Sequence, residues 1–479
     1  MAQRPTPAVK KWIAPVFVLT VALASGSSLM AQRNVFVPLP DDKENAPQLG
    51  SDAQLRTGTS SGLDTDTRLE NLLADHQFLL VQAQLGQLAP KPAQIYRGIL
   101  ANRDNDAKKS IELLEPVVDE VSASGDVTLE KLVRKALAED YMREGDWTAA
   151  TKAYQALATR FDGKMSRDEL DEIDMPLAML PLAVNNPTMT LDPCDPFEIQ
   201  ASRNLLGLLD IPVFVDAHAH SWLLDPTAPF NLISRSLAKE AGLKISDDTA
   251  TIHSLTGQQM HVHTTVIPRF TVSGQLAFHD MTAFVFDDAD YFFPQSKYQV
   301  QGVLGYAALQ ALGSLTVTDN DTIFVRPRTQ ISPPAADDKQ GGVRFFLDGD
   351  LVILALGKSG STDPGAAERM YVVDAAGQQT YLTSRYYAEH SNEFGGQSLQ
   401  LFALRGQASI PPVPAYTAET VPLMVGNVTT AIHYISVLTQ PFGSAARDDV
   451  YGVLGVDALE QLGSYTFDYR TMQFQIRPH

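Results

Sequence analysis

The sequence has little cysteine, few aromatic residues and no surplus of basic side chains. Cys194 is the single cysteine among 479 residues, so no disulfide can form within the chain and apolar burial has to hold the fold. Aromatic residues make up 8% of the chain, and the formal net charge is −19. A chain this acidic repels nucleic acid and anionic lipid, so we expect neither as a partner. The sequence has no cysteine pair that could bind a metal, and we expect no cofactor.

The first residues have the features of a secretory signal. A basic start precedes an apolar stretch from Trp12 to Ala24, and small residues surround possible cleavage sites at Ala24 and Ala31. The stretch is short for a bilayer, so residues 1–31 predict export to the periplasm or the extracellular space, without a membrane span after cleavage. An uncleaved N-terminal anchor is the alternative. Residues 32–64, rich in Pro, Asp, Ser and Gly, predict a disordered linker.

Residues 65–170 have the apolar periodicity of helices. The segment Ala138–Tyr154 resembles a tetratricopeptide repeat, with its helix break at Gly145-Asp146, and Gly98–Leu114 resembles a weaker copy with its break at Asn105-Asp106. The resemblance implies a helical module that docks a protein partner. A generic helical hairpin domain that caps the rest of the chain is the alternative.

A connector rich in Pro, Asn and Asp is predicted at residues 171–196, and the chain after it is rich in strand-forming residues. Strand composition recurs in short runs broken by Gly, Asn or Asp, such as Ile211–Val215 and Val262–Val272. Strands and helices do not alternate as they do around a parallel sheet, so antiparallel β-barrels are the better interpretation.

One segment of the chain is repeated at long range. Val300–Ser314 returns as Val450–Ser464, 150 residues later, and the earlier turns at Asp225 and Asp374 correspond with a shift of 149. A repeat of this length does not belong to a solenoid. It predicts two similar lobes that each contribute one aspartate to a shared interface. We place them at residues 197–330 and 342–479, joined by a linker at 331–341.

The order of these features resembles the retropepsin-like and pepsin-like aspartic peptidases. Trp222–Ser234 fits the family pattern of two apolar residues, Asp-Thr-Gly, then an apolar pair and Ser, and Tyr371–Thr383 fits the same frame. Val303–Gly305 and Val453–Gly455 match the hydrophobic-hydrophobic-Gly segment that supports each aspartate loop. The resemblance covers residues 197–479, and the duplicated order is more specific than any single motif.

The resemblance implies a mainly β fold: two retropepsin-like β-barrel lobes in a pepsin-like bilobed arrangement, preceded by the α-helical tetratricopeptide-like module. It implies that Asp225 and Asp374 are catalytic, that Thr227, Gly257 and Gly377 bind substrate, and that Gly257 lies in a flap hairpin. An exposed β-turn is the alternative for the flap. In such a pair one carboxylate activates a water while the protonated partner polarises the scissile carbonyl. The implied activity is hydrolysis of a peptide or an unfolded protein by a single chain.

Both aspartate loops depart from the family pattern. Pro226 and Ala375 stand where the family has a threonine whose hydroxyl bonds across to the other lobe, and Thr227 and Ala376 stand where it has glycine. The alternative is therefore a catalytically degenerate homologue that acts as an exported peptide-binding or scaffold protein. Thr227 offers one hydroxyl in place of the two that are missing.

Two histidine patterns suggest metal binding instead. The stretch Val215–His220 reproduces the Asp-x-His-x-His opening of metal-dependent amidohydrolases. The duplicated register explains the same stretch as the tip of a β-hairpin that leads to Asp225. His253, His261 and His263 could form a metal patch, but surface histidines are the favoured interpretation.

Overall fold

A computed structural model describes residues 62–253, 259–293, 297–329, 342–357, 369–375, 377, 379–403, 411–442 and 449–477. The predicted signal and the linker at 331–341 lie outside these residues, as does nearly all of the linker at 32–64. Within the described part of the chain, no helix combines the length and the apolar character that crossing a membrane requires.

The first described region is helical. Its helices are α1 (Gly62–Ala74), α2 (Phe78–Gln84), α3 (Pro90–Arg103), α4 (Ala107–Leu114), α5 (Val118–Ser124), α6 (Val127–Arg143), α7 (Trp147–Arg160) and α8 (Arg167–Met179), with 3₁₀ turns at Leu85–Gln87, Glu115–Val117 and Leu180–Ala183. Asp106, Asp126 and Asp146 cap α4, α6 and α7, because each side chain accepts a backbone N–H from the first turn. Both helix breaks predicted from the sequence are confirmed, whereas the likeness to tetratricopeptide repeats remains an expectation.

The predicted connector at residues 171–196 is partly wrong, because α8 and the 3₁₀ turn after it continue the helical region to Ala183. Ser166 and Glu169 form a capping box that begins α8. Pro176 lies within the helix, and it is buried together with Ile173 and Met179 on the apolar side of α8. Prolines and acidic residues suggested irregular chain here, but tertiary burial of the apolar side chains keeps the segment helical.

Lobe one follows the helical region. Its elements are β1 (Thr190–Leu191), β2 (Phe197–Gln200), β3 (Ser202–Arg203), β4 (Leu209–Val215), β5 (His218–Leu224), β6 (Leu232–Ser234), α9 (Arg235–Glu240), β7 (Ala250–His253), β8 (Gln259–Val272), β9 (Leu276–Phe286), a 3₁₀ turn (Asp288–Tyr291), β10 (Phe292–Phe293), β11 (Tyr298–Gln299), β12 (Gly302–Leu304), α10 (Tyr306–Leu312), β13 (Ser314–Val317) and β14 (Thr322–Arg326).

Lobe two has a corresponding order of elements. They are β15 (Val343–Asp348), β16 (Leu351–Leu356), β17 (Arg369–Val373), β18 (Tyr381–Leu382), α11 (Ser384–His390), a 3₁₀ turn (Ser391–Phe394), β19 (Gln400–Phe402), β20 (Val413–Val425), β21 (Val428–Leu438), β22 (Gly452–Leu454), α12 (Val456–Gln461), β23 (Ser464–Asp468) and β24 (Gln473–Arg477). The chain from β2 onward is therefore mainly β, as predicted.

A symmetric sheet joins the two lobes. Its central strands β13 and β23 pair antiparallel with Thr316 opposite Thr466, and the hydroxyls of these residues are 2.8 Å apart. Strands β14 and β2 extend the sheet on the side of lobe one, and β24 and β15 extend it on the side of lobe two. Because equivalent residues of the repeat face each other, the sheet lies on an approximate two-fold axis between the lobes.

Candidate functional site

Asp225 and Asp374 occupy equivalent places in the two lobes. Asp225 follows β5, which pairs parallel with β12, and its backbone N–H donates to the Leu304 carbonyl at 3.2 Å. Asp374 follows β17, which pairs parallel with β22, and its N–H donates to the Leu454 carbonyl at 2.9 Å. Each aspartate thus begins a loop at the end of a buried strand, held by the neighbouring hydrophobic-hydrophobic-Gly segment.

Two polar side chains hold the glycines of these segments. In lobe one the Asn231 Oδ1 accepts the Gly305 N–H at 3.1 Å. In lobe two the Thr380 Oγ1 accepts the Gly455 N–H at 2.8 Å. Asn231 and Thr380 are 149 residues apart, so the register of the repeat could have identified this pair, although the sequence analysis did not use it.

The two glycines are required by close packing of the loops. An added Cβ at Gly305 would lie 2.3 Å from the Phe230 carbonyl oxygen. At Gly455 it would lie 2.8 Å from the Gly377 carbonyl oxygen. These distances are too short for any side chain, so the hydrophobic-hydrophobic-Gly segments need glycine to bring the aspartate loops into place.

The electrostatic environment of Asp225 is shaped by burial and by the other lobe. Burial raises the pKa of Asp225 to about 6; the charge of Asp374 also raises it, whereas hydrogen bonds from Thr227 and the Ala228 N–H lower it. The influence of Asp374 means that the two carboxyl groups lie near enough to interact.

Thr227 supports the aspartate of its own lobe. Its backbone N–H donates to Asp225 Oδ1 at 2.9 Å, and its hydroxyl donates to the same oxygen at 2.7 Å. The hydroxyl therefore does not make the bond across to the other lobe that the resembling family makes. The side chains of Pro226 and Ala375 cannot make it either, since neither has a hydroxyl group.

Gly377 lies directly against Asp374. Its N–H donates to the Asp374 carbonyl at 3.0 Å, and an added Cβ would lie 2.7 Å from the Asp374 carboxyl carbon. Two of the three predicted substrate-binding residues, Thr227 and Gly377, are thus next to the paired aspartates. The third, Gly257, lies outside the described residues together with the rest of the predicted flap tip.

The histidine patterns have local explanations. Asp216 and Ala217 adopt positive φ angles of 45° and 70° and form the tight turn between β4 and β5, as the register of the repeat predicted. The His263 ring nitrogen lies 2.9 Å from the Ser246 carbonyl oxygen. Across the described ranges, no three His, Cys, Asp or Glu side chains are grouped in a way that could hold a metal ion.

The helical region shares a hydrophobic cluster with the strands that lead to Asp225 in lobe one. Along β5 and β12, Leu224 and Leu304 belong to the core that the two lobes share. Leu223 and Val303 belong instead to a hydrophobic cluster that includes residues of α6, α7 and α8. Successive residues of a strand point to opposite faces, and Asp225 follows directly after Leu224 at the end of β5.

Lobe two repeats this arrangement. Val373 and Leu454 belong to the shared core, whereas Val372 and Val453 belong to a cluster that includes residues of α1 to α6. Asp374 follows directly after Val373 at the end of β17. Helix residues therefore share hydrophobic clusters with the strands that lead to the aspartates in both lobes.

A small cavity marks the point where the helical region meets the Asp225 loop. Its volume is about 20 Å³. Met142 and Arg143 of α6 line it together with Pro226 and Thr227, and the turn between β15 and β16 of lobe two completes its wall. No sequence pattern indicated that α6 would end beside an aspartate loop.

Tyr291 is a further neighbour that the sequence analysis missed. Burial, followed by the negative charge of Asp225, raises the pKa of Tyr291 to about 12. The Tyr291 ring packs against Phe286 with 4.8 Å between ring centroids. Tyr291 follows β9 in a 3₁₀ turn, and its approach to Asp225 depends on chain packing that no local motif records.

One protein-family profile matches part of lobe one. The sequence profile of a family described as aspartyl protease matches residues 211–308, which include Asp225 and Val303–Gly305. This match supports an aspartic-peptidase-like chain. No curated protein matches the sequence.

Two solved structures are similar to parts of the chain. A retropepsin-like aspartic protease from Rickettsia conorii is 18% identical, with a TM-score of 0.20, and the match covers 27% of this chain and 97% of that one. Basic 7S globulin from soybean is 12% identical, with a TM-score of 0.37, and the match covers 59% of this chain and 94% of that one.

Proposed function

We propose that this protein is an aspartic-type endopeptidase that hydrolyses peptide bonds with Asp225 and Asp374. The observation that carries the proposal is the equivalent position of the two aspartates on either side of the approximate two-fold axis, with the charge of Asp374 acting on Asp225. A pair of this kind supplies a proton donor and a base to one reaction centre without a cofactor.

The proposed reaction needs one proton on the pair. The ionised carboxylate takes a proton from a bound water, which attacks the scissile carbonyl, while the protonated carboxyl donates a hydrogen bond to the carbonyl oxygen. A proton then passes to the leaving amine as the C–N bond breaks. Because the pKa of Asp225 is about 6, Asp225 can hold the proton at mildly acidic pH.

The substrate class follows from the same site. We propose an extended peptide or an unfolded protein, bound between the lobes with Thr227 and Gly377 close to the reacting carbonyl. Export to the periplasm or the extracellular space is part of the proposal, because the first 31 residues have the composition of a secretory signal.

A second candidate is a non-catalytic peptide-binding or scaffold protein that docks a partner through its helical region. The specific observation in its favour is the loss of both bridging hydroxyls at Pro226 and Ala375, since small displacements of a catalytic loop cost much of the rate. A displacement of about 1 Å costs on the order of a hundredfold.

Cleavage of unfolded casein between about pH 3 and 7 separates the candidates, since this range brackets the carboxyl pKa values. For a peptidase we expect turnover that a statine-type inhibitor blocks and that Asp225→Asn and Asp374→Asn each abolish. Asp247→Asn, on an exposed turn, is the matched control and should leave turnover unchanged. Binding of casein without cleavage, unaffected by either active-site variant, would instead support the scaffold.

A further inference from the structure

A cluster of charged side chains fastens the helical region to lobe two. Asp348, at the end of β15, is 13% exposed and lies between three cationic or titratable groups of the helical region. Its carboxylate oxygens are 3.0 Å from Arg103 Nη2, 3.4 Å from Lys135 Nζ and 3.3 Å from His76 Nδ1. The contact is therefore a buried ionic junction between two parts of the chain that are more than 200 residues apart.

The helical side of this junction is built to hold the cations in place. Arg103 is 3% exposed, and its Nη1 lies 3.0 Å from the Glu139 carboxylate. Lys135 pairs with Glu172 of α8 as well as with Asp348. Although burial alone would raise the pKa of Asp348, the charges of Arg103 and Lys135 hold it well below its usual range.

The junction lies beside the turn that reaches the Asp225 loop. Gly349 and Asp350 follow Asp348 directly, and both line the cavity that contains Thr227 and Arg143. The ionic junction and the contact of α6 with the aspartate loop are thus connected by two residues of one tight turn. Displacement of the helical region from Asp348 would also withdraw Arg143 from the loop.

We infer that the helical region forms a cover over the Asp225 loop, and that the ionic junction at Asp348 keeps this cover closed. This inference rests on the proposed function, since it gives the cover a catalytic pair to protect. With the cover closed, Met142 and Arg143 of α6 lie beside Pro226 and Thr227 of the Asp225 loop, where an extended peptide would lie. A peptide reaches the pair after the helices move away.

The test measures access to the site without relying on catalysis. In a Cys194→Ser background, a reporter thiol is introduced by Ala228→Cys, three residues past Asp225, where Ala228 packs against the cluster that contains α6 to α8. Gln275→Cys, on the exposed turn between β8 and β9, is the matched reporter outside the cover. The rate of maleimide labelling is measured for each thiol.

With the junction intact, we expect the Ala228→Cys thiol to react at least tenfold more slowly than the Gln275→Cys thiol. Adding Asp348→Asn should raise the rate at position 228 at least tenfold and leave the rate at position 275 unchanged. Near-ultraviolet circular dichroism establishes that the variant is folded. If Asp348→Asn does not fold, Lys135→Met replaces it, because that variant leaves the contact between Arg103 and Asp348.

The inference would be overturned if the two reporter thiols were labelled at the same rate in the protein with an intact junction. It would also be overturned if the junction variants did not change the labelling rate at position 228. Casein cleavage by the same variants separates this result from the proposed function. Faster labelling without cleavage supports the cover and refutes the peptidase. Cleavage that is equally fast with and without the junction refutes the cover and leaves the peptidase intact.

Discussion

Replacement of Asp225 by asparagine should stabilise the protein at neutral and alkaline pH but not in acid. The pKa of Asp225 is raised from 3.8 to about 6, so the folded state binds this proton more tightly than the unfolded state does. The stability that the group contributes is fully present below about pH 3.8 and is lost as the pH rises through about 6. With about 1.36 kcal/mol per pKa unit, the loss at pH 8 is about 3 kcal/mol.

The assay compares urea unfolding of the wild type and Asp225→Asn at pH values from 3 to 8. We expect the difference in the free energy of unfolding, variant minus wild type, to grow by about 3 kcal/mol across this range. Asparagine keeps the oxygen that accepts the two hydrogen bonds from Thr227, so the comparison isolates the charge. The difference between the two free energies of unfolding also removes the contribution of every group that titrates identically in the two proteins.

Two further variants sharpen the comparison. Asp247→Asn removes an exposed charge and is the control for the loss of one surface carboxylate. Asp374→Asn removes a charge that raises the pKa of Asp225 and should move the midpoint of the transition below about 6. The assignment of the two carboxyl groups to one interacting pair would be refuted by either of two results. One is a difference in the free energy of unfolding for Asp225→Asn that does not change with pH. The other is a transition midpoint that is the same with and without Asp374→Asn.

Two other predictions concern the aspartate loops. Gly377→Ala should displace the Asp374 carboxyl group, because the new Cβ would lie 2.7 Å from the carboxyl carbon. We expect the free energy of unfolding, measured in urea, to fall by about 1–3 kcal/mol. Gly86→Ala is the control and should be close to neutral, because no atom lies within 4 Å of its added Cβ. Thr227→Val should raise the pKa of Asp225 by about one unit, because it removes a hydroxyl that favours the ionised carboxylate. Thr227→Ser keeps a hydroxyl and should leave the pKa of Asp225 at its wild-type value in the same pH series. A stable Gly377→Ala protein or an unshifted Thr227→Val titration would contradict the geometry of the corresponding loop.

Much of the fold was predictable because it depends on patterns that recur locally. Val300–Ser314 and Val450–Ser464 specify a buried strand, a glycine and a short helix in each lobe, and the structure confirms both copies. The β-hairpin turn at Asp216 was also predicted. The segment at 171–183 was not, since its Pro and Asp residues obscure a helix whose apolar side is buried by distant strands.

The candidate site was predictable in part. The repeat located Asp225 and Asp374 by register alone, and the same register would have found Asn231 and Thr380. The neighbourhood of Tyr291 could not be found in this way, because its approach to Asp225 results from the path of the chain after β9.

By itself, the sequence determined that the chain contains two related β lobes, each with one aspartate after an apolar strand, because periodicity and duplication are properties of residue order. The tertiary structure alone decided which groups meet across the lobes and what covers them. Asp348 has no local motif that marks it as the partner of Arg103, and α6 has none that directs it toward Thr227. Such contacts depend on the packing of segments far apart in the chain, where small differences in burial and charge select one arrangement among several that the same local patterns allow.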